Sequence, residues 1–398
     1  MSLDVDRIRS EYPALTEGFV HFDGAGGTQP AEPVIAAITR AMRTAVSNRG
    51  AGFEPARRSG EIVASARAAV ADLVGGDPAG VVFGPSATAL TYLVARTLSQ
   101  GWSSHDEIVV SRLDHDANVR PWVQAAEHAG ATVRWADVDV ATGALPTGQY
   151  RELINADTRL VAVTAASNAN GAIPAVRQIA DLAHGAGALV YADGVHRTAH
   201  LPVDVAALGA DFYVTSAYKW SGPHYAAVVA TPETWEPLHP VKLVPSPAEA
   251  PDRFEYGTLS FELLAGITAA VDYLAGLAPA GDTRRQRVTA SMTAVAAYEK
   301  ELAAKLAAGL AEIESVTVVP APADRCPTLA FRVAGQSPAE TARILGEQGI
   351  CVSNGDYYAV EFFTAAGLRE SGGAVRASIY HYNTADEIDR LLEAVGKL

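Results

Sequence analysis

The segment YADGVHRTAHLPVDVAALGADFYVTSAYKWSGP, residues 191–223, decides the fold of this chain. Short apolar runs at 188–192 and 212–215 are typical of buried strands. Asp193 and Ser216 follow these runs directly, and Lys219 comes three residues after Ser216. Open α/β sheets bind ligands at the carboxyl ends of their strands. If the two strands are neighbours, the carboxylate and the amine face the same crevice.

Asp193 and Lys219 have the chemistry of a cofactor site. Desolvation beside Trp220 would lower the pKa of Lys219, which makes its amine a nucleophile able to form an imine with a carbonyl. Asp193 would keep the ring nitrogen of a pyridine cofactor protonated and electron-withdrawing. Taken singly, the two residues are better explained as a turn cap and a surface lysine. Together with Ser216 they favour the cofactor site.

Composition excludes several classes of function. The 398 residues, 49% of them hydrophobic, suffice for two or three domains with a large core. The 45 acidic and 31 basic residues give a net charge of −14, which argues against nucleic acid as a partner. The sequence contains neither a run of eighteen apolar residues nor a secretory pattern at its start, so we expect a cytoplasmic protein with no membrane contact. Cys326 and Cys351 have no metal-site or disulfide spacing.

Strand and helix patterns alternate along the first 230 residues, and three further strand ends carry polar residues. The strand at 81–83 leads through a turn of small residues into a helix beginning near Ala87 and Thr88. Free N–H groups at such a helix start bind anions, although an ordinary helix cap has the same pattern. His115 and Asn168 follow two other predicted strands, so both are candidates for the same crevice.

The blocks DGVH, PVDV, ALGADFYV and SAYKWSGP resemble the region around the Schiff-base lysine of class V aminotransferases. These enzymes use pyridoxal phosphate (PLP) and include the cysteine desulfurases. The similarity runs from about His21 to the C-terminus and is greatest to the desulfurase-like group. It implies an α/β fold of the PLP-dependent aminotransferase type, with a mixed, mostly parallel seven-stranded sheet in a large domain at 15–262. A smaller α+β domain, with an interdomain helix, would comprise 1–14 and 263–398.

The resemblance also implies roles for individual residues. Lys219, His115 and Asp193 are the expected catalytic residues, with the His115 ring lying flat over the cofactor. His196 takes the place of a desulfurase glutamine and would serve the same ring oxygen as Asn168. Arg376 would bind the substrate carboxylate, in a pocket lined by Ala25 and Tyr358. The expected cofactor-binding residues are Ala87, Thr88, His115, Asn168, Asp193, His196, Ser216, Tyr218, Lys219 and Thr258, and no metal ligand is expected.

Thr258 lies in the block RFEYGT, which resembles the family segment that crosses to the second subunit. There a threonine contacts the PLP phosphate of the partner. The resemblance therefore implies a homodimer.

The chain departs from the desulfurase pattern at the nucleophile. Where those enzymes carry a cysteine in a Gly-His-His-Cys-Ala segment, this chain has Gly-Asp-Tyr-Tyr-Ala at 355–359, which puts Tyr358 in the cysteine's place. Ser353 replaces an arginine, and Tyr218 replaces the histidine before the lysine. Cys351 lies in an apolar run and is interpreted as a buried strand residue.

These observations predict a PLP-dependent enzyme acting at Cα and Cβ of an α-amino acid. β-Elimination from cysteine or an S-substituted cysteine ranks first, because it needs no protein thiol. An aminotransferase or epimerase, which needs only Lys219 as a proton shuttle, is the alternative. A non-catalytic protein with this fold is a second alternative, since the catalytic cysteine is missing. The sequence does not specify the substrate.

Overall fold

Strands of the structure, a computed structural model that describes residues 3–398, form three sheets. The strands are β1 (Val20–His21), β2 (Val81–Gly84), β3 (Glu107–Ser111), β4 (Thr132–Ala136), β5 (Thr158–Thr164), β6 (Leu189–Asp193), β7 (Phe212–Ser216), β8 (Ala226–Val229), β9 (Val316–Val318), β10 (Thr328–Val333), β11 (Ile350–Cys351), β12 (Ser353–Gly355) and β13 (Ala374–Ser378).

Helices connect most of these strands. They are α1 (Val5–Ser10), α2 (Glu32–Arg43), α3 (Glu54–Val74), α4 (Ala87–Leu98), α5 (Arg120–Ala129), α6 (Tyr150–Leu153), α7 (Val176–Gly185), α8 (Val205–Leu208), α9 (Pro232–Trp235), α10 (Phe261–Ala275), α11 (Arg284–Ala311), α12 (Pro338–Glu347), α13 (Val360–Ala365) and α14 (Ala385–Val395). No helix in residues 3–398 is long and apolar enough to cross a membrane.

The largest sheet has seven strands in the order β2-β8-β7-β6-β5-β3-β4. Strand β8 is antiparallel to both of its neighbours, and all other pairs are parallel. The prediction of a mixed, mostly parallel seven-stranded sheet is confirmed.

The sheet is apolar on both faces because helices cover both. Successive residues of β3 alternate between two cores: Ile108 and Val110 pack with Trp122 of α5, whereas Val109 lies in the core that contains Ile179 of α7. A strand buried on both faces reads as a continuous apolar run, which is why these strands were recognisable in the sequence. Because these strands run parallel, their polar carboxyl-terminal ends lie together at one edge of the sheet.

The register of the sheet sets the positions of the site residues. Asp193, the last residue of β6, lies opposite Thr164 of β5 and Val214 of β7. The β7 strand continues two residues further to Ser216, from which a short 3₁₀ turn leads to Lys219. The two strands of the opening segment are therefore neighbours, and Asp193 and Lys219 leave the sheet at the same edge.

The C-terminal part builds a second, antiparallel sheet in the order β12-β13-β10-β9. Its core is filled by apolar residues such as Phe331 and Val375, against Leu306 of α11 and Leu391 of α14. The short pair β1-β11 joins the N-terminal segment to this part of the chain. This smaller α+β unit agrees with the predicted fold class, while the exact domain boundaries at 14/15 and 262/263 stay predictions.

Candidate active site

Two adjoining cavities open at the carboxyl edge of the seven-stranded sheet. Their volumes are about 640 and about 100 Å³. Residues that line both of them are Thr88, His115, Ala117, Asn168, Tyr218 and Lys219. The smaller cavity reaches Asp193, and the larger one opens past Arg376 toward the surface. The ends of five strands, β2, β3, β5, β6 and β7, and the second sheet thus contribute to one crevice.

Lys219 is buried at the junction of the two cavities. Its Nζ donates a hydrogen bond to the carbonyl oxygen of Ala25. Burial, reinforced by the positive charge of Arg376, lowers the pKa of the amine from 10.5 to about 7, although Asp193 opposes this shift. A large fraction of the amine is therefore unprotonated at neutral pH, which is the form that attacks a carbonyl or accepts a proton.

Asp193 borders the smaller cavity and is only 8% exposed. Oδ1 accepts a hydrogen bond of 2.9 Å from the backbone N–H of Val195, which keeps the side chain directed along the strand end. Burial raises the pKa of this carboxyl from 3.8 to about 6, while Val195 and Lys219 act in the opposite direction. The group is mostly ionised at pH 7 and can hold a protonated ring nitrogen.

His115 lies between the cavities and the outer loop. Its Nδ1 accepts a hydrogen bond of 3.0 Å from the N–H of Ala117, so the proton of the neutral ring is on Nε2. Burial, with the nearby charges of Lys219 and Arg376, lowers the pKa of His115 to about 4. The ring is consequently neutral at pH 7, and the Tyr358 ring stacks on it at a centroid distance of 5.5 Å.

Asn168 and His196 each direct one unpaired polar atom into this region. The Asn168 amide donates to the carbonyl of Tyr357 at 2.9 Å, but its Oδ1 is buried without a partner. His196 Nε2 lies 3.0 Å from the hydroxyl of Thr328, whereas Nδ1 has no partner. Buried polar atoms normally have hydrogen-bond partners, so these two atoms fit a polar group of a ligand. Burial lowers the pKa of His196 well below its usual range, so this ring too is neutral.

The N-terminus of α4 also borders the smaller cavity. Ser86 caps the helix by accepting a hydrogen bond of 3.1 Å from Ala89, and Ala87 and Thr88 form the first turn. N–H groups in the first turn have no acceptor within a helix, and the helix dipole favours an anion there. An amine, an acid, unpaired polar atoms and an anion site therefore surround one space, and this set fits PLP.

Arg376 on β13 lines the larger cavity and is 3% exposed. Its guanidinium donates to the carbonyl of Asn168 at 3.0 Å and to the hydroxyl of Ser353 at 3.3 Å, and Nε has no partner. Burial lowers the pKa of Arg376 to about 10, so the group stays charged at pH 7. A planar, partly unsatisfied guanidinium suits bidentate binding of a carboxylate.

The glycine-rich turn at 24–27 closes over the lysine. A Cβ on Gly27 would lie 3.0 Å from the ring of Tyr218, and one on Gly26 would lie 3.0 Å from the Asp23 carbonyl oxygen. The absence of side chains lets this turn approach and bring the Ala25 carbonyl to Lys219. Ser216 and Tyr218 line the smaller cavity beside Lys219.

The loop that departs from the desulfurase pattern lies at the cavity mouth. Tyr357 and Tyr358 both have positive φ, 51° and 60°, which side-chain-bearing residues adopt at a cost. The Tyr357 ring lies under the Arg376 guanidinium, 4.5 Å from its carbon, and its hydroxyl donates to the carbonyl of Ala374. Tyr358 is 71% exposed and borders the larger cavity.

Sequence reasoning did not select Tyr357, Tyr92 or Arg120, which also line the larger cavity. The unusual loop sequence was a signal for Tyr357. Nothing in the sequence singles out the other two, because helices α4 and α5 bring them to the cavity from the side.

Neither cysteine of the chain lines these cavities. Cys326 is 1% exposed and borders a different cavity, and burial raises its pKa to about 12. Cys351 ends β11 and is half-buried rather than fully buried as expected, because its strand lies in a two-stranded pair. Partial burial raises the pKa of its thiol. Both thiols are thus predominantly protonated at pH 7.

Thr258 is exposed and lies outside the cavity lining of its own chain. Its expected contact with the PLP phosphate would be made in a second subunit, so this role of Thr258 stays a prediction.

Comparisons with known proteins agree with the fold and show the family. The family model described as aminotransferase class-V matches residues 20–391. An uncharacterised protein of Mycobacterium tuberculosis is 35% identical over 401 residues, spanning 100% of both chains. A probable cysteine desulfurase of Mycolicibacterium paratuberculosis is 33% identical over 99% of this chain and 58% of its own length. The solved structure of a cysteine desulfurase from Escherichia coli has a TM-score of 0.87 at 27% identity, covering 100% of this chain and 98% of that chain.

Proposed function

The chain belongs to the class-V aminotransferase family, as a PLP-dependent, cysteine desulfurase-like enzyme, and we propose that it cleaves the C–S bond of an S-substituted cysteine by β-elimination. One observation carries the proposal: neither cysteine lines the cavity that holds Lys219 and Arg376. Transfer of sulfur to the protein needs a thiolate there. Elimination needs only a base and a bound carboxylate.

The cofactor would be held by the residues around the smaller cavity. PLP, when bound, supplies an electron-withdrawing ring that stabilises negative charge at the substrate Cα. Lys219 would hold its aldehyde carbon, Asp193 its ring nitrogen, and Asn168 and His196 its ring hydroxyl. His115 would cover the ring. Residues assigned to the phosphate are Ala87, Thr88 and Ser216, with Tyr218 packed beside them.

Arg376 would fix the substrate by its α-carboxylate. The guanidinium is anchored on one side by the Asn168 carbonyl and supported by the Tyr357 ring, so little rotational freedom remains to be lost on binding. Ala25 and Tyr358 would border the bound amino acid. The remaining space in the cavity of about 640 Å³ favours a substituted sulfur over free cysteine.

Lys219 would take the proton from Cα. A pKa of about 7 leaves roughly half of the amine unprotonated at pH 7 and able to accept it. The Cβ–S bond then breaks, and the sulfur leaves with the bonding electrons. A thiol has a pKa of roughly 8.5, so the leaving thiolate needs little acid assistance. Tyr358, which borders the cavity, would be the candidate donor. In total, the amino acid and one water give a thiol, pyruvate and ammonium.

We further infer a homodimer in which Thr258 contacts the PLP phosphate of the partner subunit. The exposed position of Thr258, outside its own cavity, supports this arrangement.

The test supplies purified enzyme with cysteine, cystine and several S-alkyl and S-aryl cysteines, and measures pyruvate, released thiol and protein-bound persulfide separately. We expect pyruvate and thiol in equal amounts, unchanged in the Cys351→Ser variant and in its matched control Cys326→Ser. Persulfide on Cys351, lost together with activity in Cys351→Ser, would contradict the proposal.

The same experiment separates the alternatives. A stable amine form of the cofactor, reversed by a keto acid, would indicate an aminotransferase. Exchange of the Cα hydrogen with deuterium from solvent, without pyruvate, would indicate an epimerase. Neither reaction nor spectral change with any amino acid would indicate a non-catalytic protein.

A further inference from the structure

A third cavity, of about 370 Å³, shares no lining residue with the two active-site cavities. It lies between the 3₁₀ turn at Arg197–Ala199, the α11 helix and the segment that precedes β10. Its charged lining residues are Arg197, Glu299, Lys300, Asp324 and Arg325. Nothing in the reaction proposed above uses these residues.

Neither arginine is neutralised by the protein. In residues 3–398 no carboxylate forms an ion pair with Arg197 or Arg325, although most of the other partly buried arginines have one. The Nε of Arg197 is buried without any hydrogen-bond acceptor. Burial lowers the pKa of Arg325, and no acid opposes the shift. A partly buried guanidinium without an acceptor is costly, and a bound anion would remove that cost.

The acids near this cavity are already engaged. Glu299 is paired with His200 at 2.8 Å, with both side chains 1% exposed, and burial raises the pKa of its carboxyl. Asp324 is 85% exposed and lies 3.3 Å from Lys300. Both acids therefore have partners of their own, and neither forms an ion pair with the two guanidinium groups of the cavity.

We propose that this cavity is a binding site for a small multivalent anion, a phosphorylated or dicarboxylic metabolite, with Arg197 and Arg325 as its ligands. Arginine recognises phosphate and carboxylate groups through two parallel N–H donors, and the volume admits a small metabolite. The site is independent of the lyase proposal. Arg197 directly follows His196, so neighbouring residues of one segment line the cofactor cavity and the proposed anion site.

The test uses the PLP-loaded enzyme, in which the cofactor already fills its own phosphate site. Pyrophosphate and succinate are titrated separately by isothermal titration calorimetry at low ionic strength. We expect binding of one anion per chain. Tighter binding of pyrophosphate assigns the phosphate class, and tighter binding of succinate assigns the dicarboxylate class.

Variants locate the site. Arg197→Gln and Arg325→Gln each remove one charged donor pair and should weaken binding about tenfold or more. Arg197→Lys keeps the charge but loses the paired donors. Its affinity for the anion should therefore lie between the affinities of wild type and Arg197→Gln. The matched control is Arg177→Gln, because Arg177 is exposed and already paired with Asp181. Circular dichroism checks that each variant is folded.

The proposal is overturned if the wild-type enzyme binds neither anion. It is equally overturned if folded Arg197→Gln and Arg325→Gln bind as tightly as the Arg177→Gln control, since binding would then occur elsewhere.

Discussion

Replacing Lys219 with methionine should stabilise the cofactor-free protein, and by an amount that depends on pH. Lys219 is 8% exposed, and the pKa of its amine falls from 10.5 in an exposed chain to about 7 in the folded protein. Since the folded pKa is the lower one, the unfolded chain binds more protons between these two values. Stability must therefore rise with pH across this window.

The size of the effect follows from the two pKa values. At pH 7 the buried amine lowers the free energy of unfolding by about 4 kcal/mol relative to a group that stays neutral, and at pH 9 by about 2 kcal/mol. The advantage of Lys219→Met over wild type should thus shrink by about 2 kcal/mol from pH 7 to pH 9. Contacts that the substitution removes, such as the hydrogen bond to Ala25, change the free energy of unfolding equally at pH 7 and pH 9. They therefore cancel when the two pH values are compared.

The assay is equilibrium urea unfolding of both proteins, freed of PLP, at pH 7 and pH 9 and at one protein concentration. Lys305→Met is the matched control, because Lys305 is 39% exposed and paired with Asp389 at the surface. The difference in the free energy of unfolding between Lys305→Met and wild type should be the same at both pH values. If the Lys219→Met difference is also the same at both pH values, the amine is not desolvated in the folded protein and the reasoning fails.

Two further predictions concern the neighbouring strand end. Asp193→Asn keeps the shape of the side chain but removes a buried charge, so PLP should bind about 10- to 100-fold more weakly, as measured by the absorbance of bound cofactor during dilution. Unchanged affinity would exclude Asp193 as the partner of the ring nitrogen. Gly194→Ala would place a methyl group onto the ring of Tyr213, which is held by a hydrogen bond of 2.9 Å to Thr198. We expect a lower melting temperature and weaker PLP binding; a variant as stable as wild type would show that Tyr213 can move aside.

The sequence alone was sufficient for the large sheet and the centre of the site. Strands such as β6 and β7 are continuous apolar runs, because helices bury both of their faces, and polar residues appear only where each strand ends. That local pattern selected Asp193 and Lys219 before any contact was known. The same pattern made His115 and Asn168 candidates for the crevice, and the family resemblance added their expected roles and that of Arg376.

Tertiary structure alone decided what depends on contacts between distant segments. The apposition of Arg376 and Asn168 joins residues 208 positions apart, and no local pattern encodes it. Tyr357 and Tyr358 adopt a left-handed conformation that no glycine in the sequence announces, and the Tyr357 hydroxyl donates to the carbonyl of Ala374 in the second sheet. Helix α14, though strongly amphipathic in sequence, was not predicted.

The anion site could not be predicted for the same reason. In the sequence, Arg197 and Arg325 are indistinguishable from ordinary surface arginines, which usually lie near a carboxylate in the folded protein. Only the folded chain shows that burial has brought both to one cavity while every nearby acid is paired with another group. Burial and pairing are properties of the assembled molecule, since they depend on which segments meet and not on the residues of any one segment.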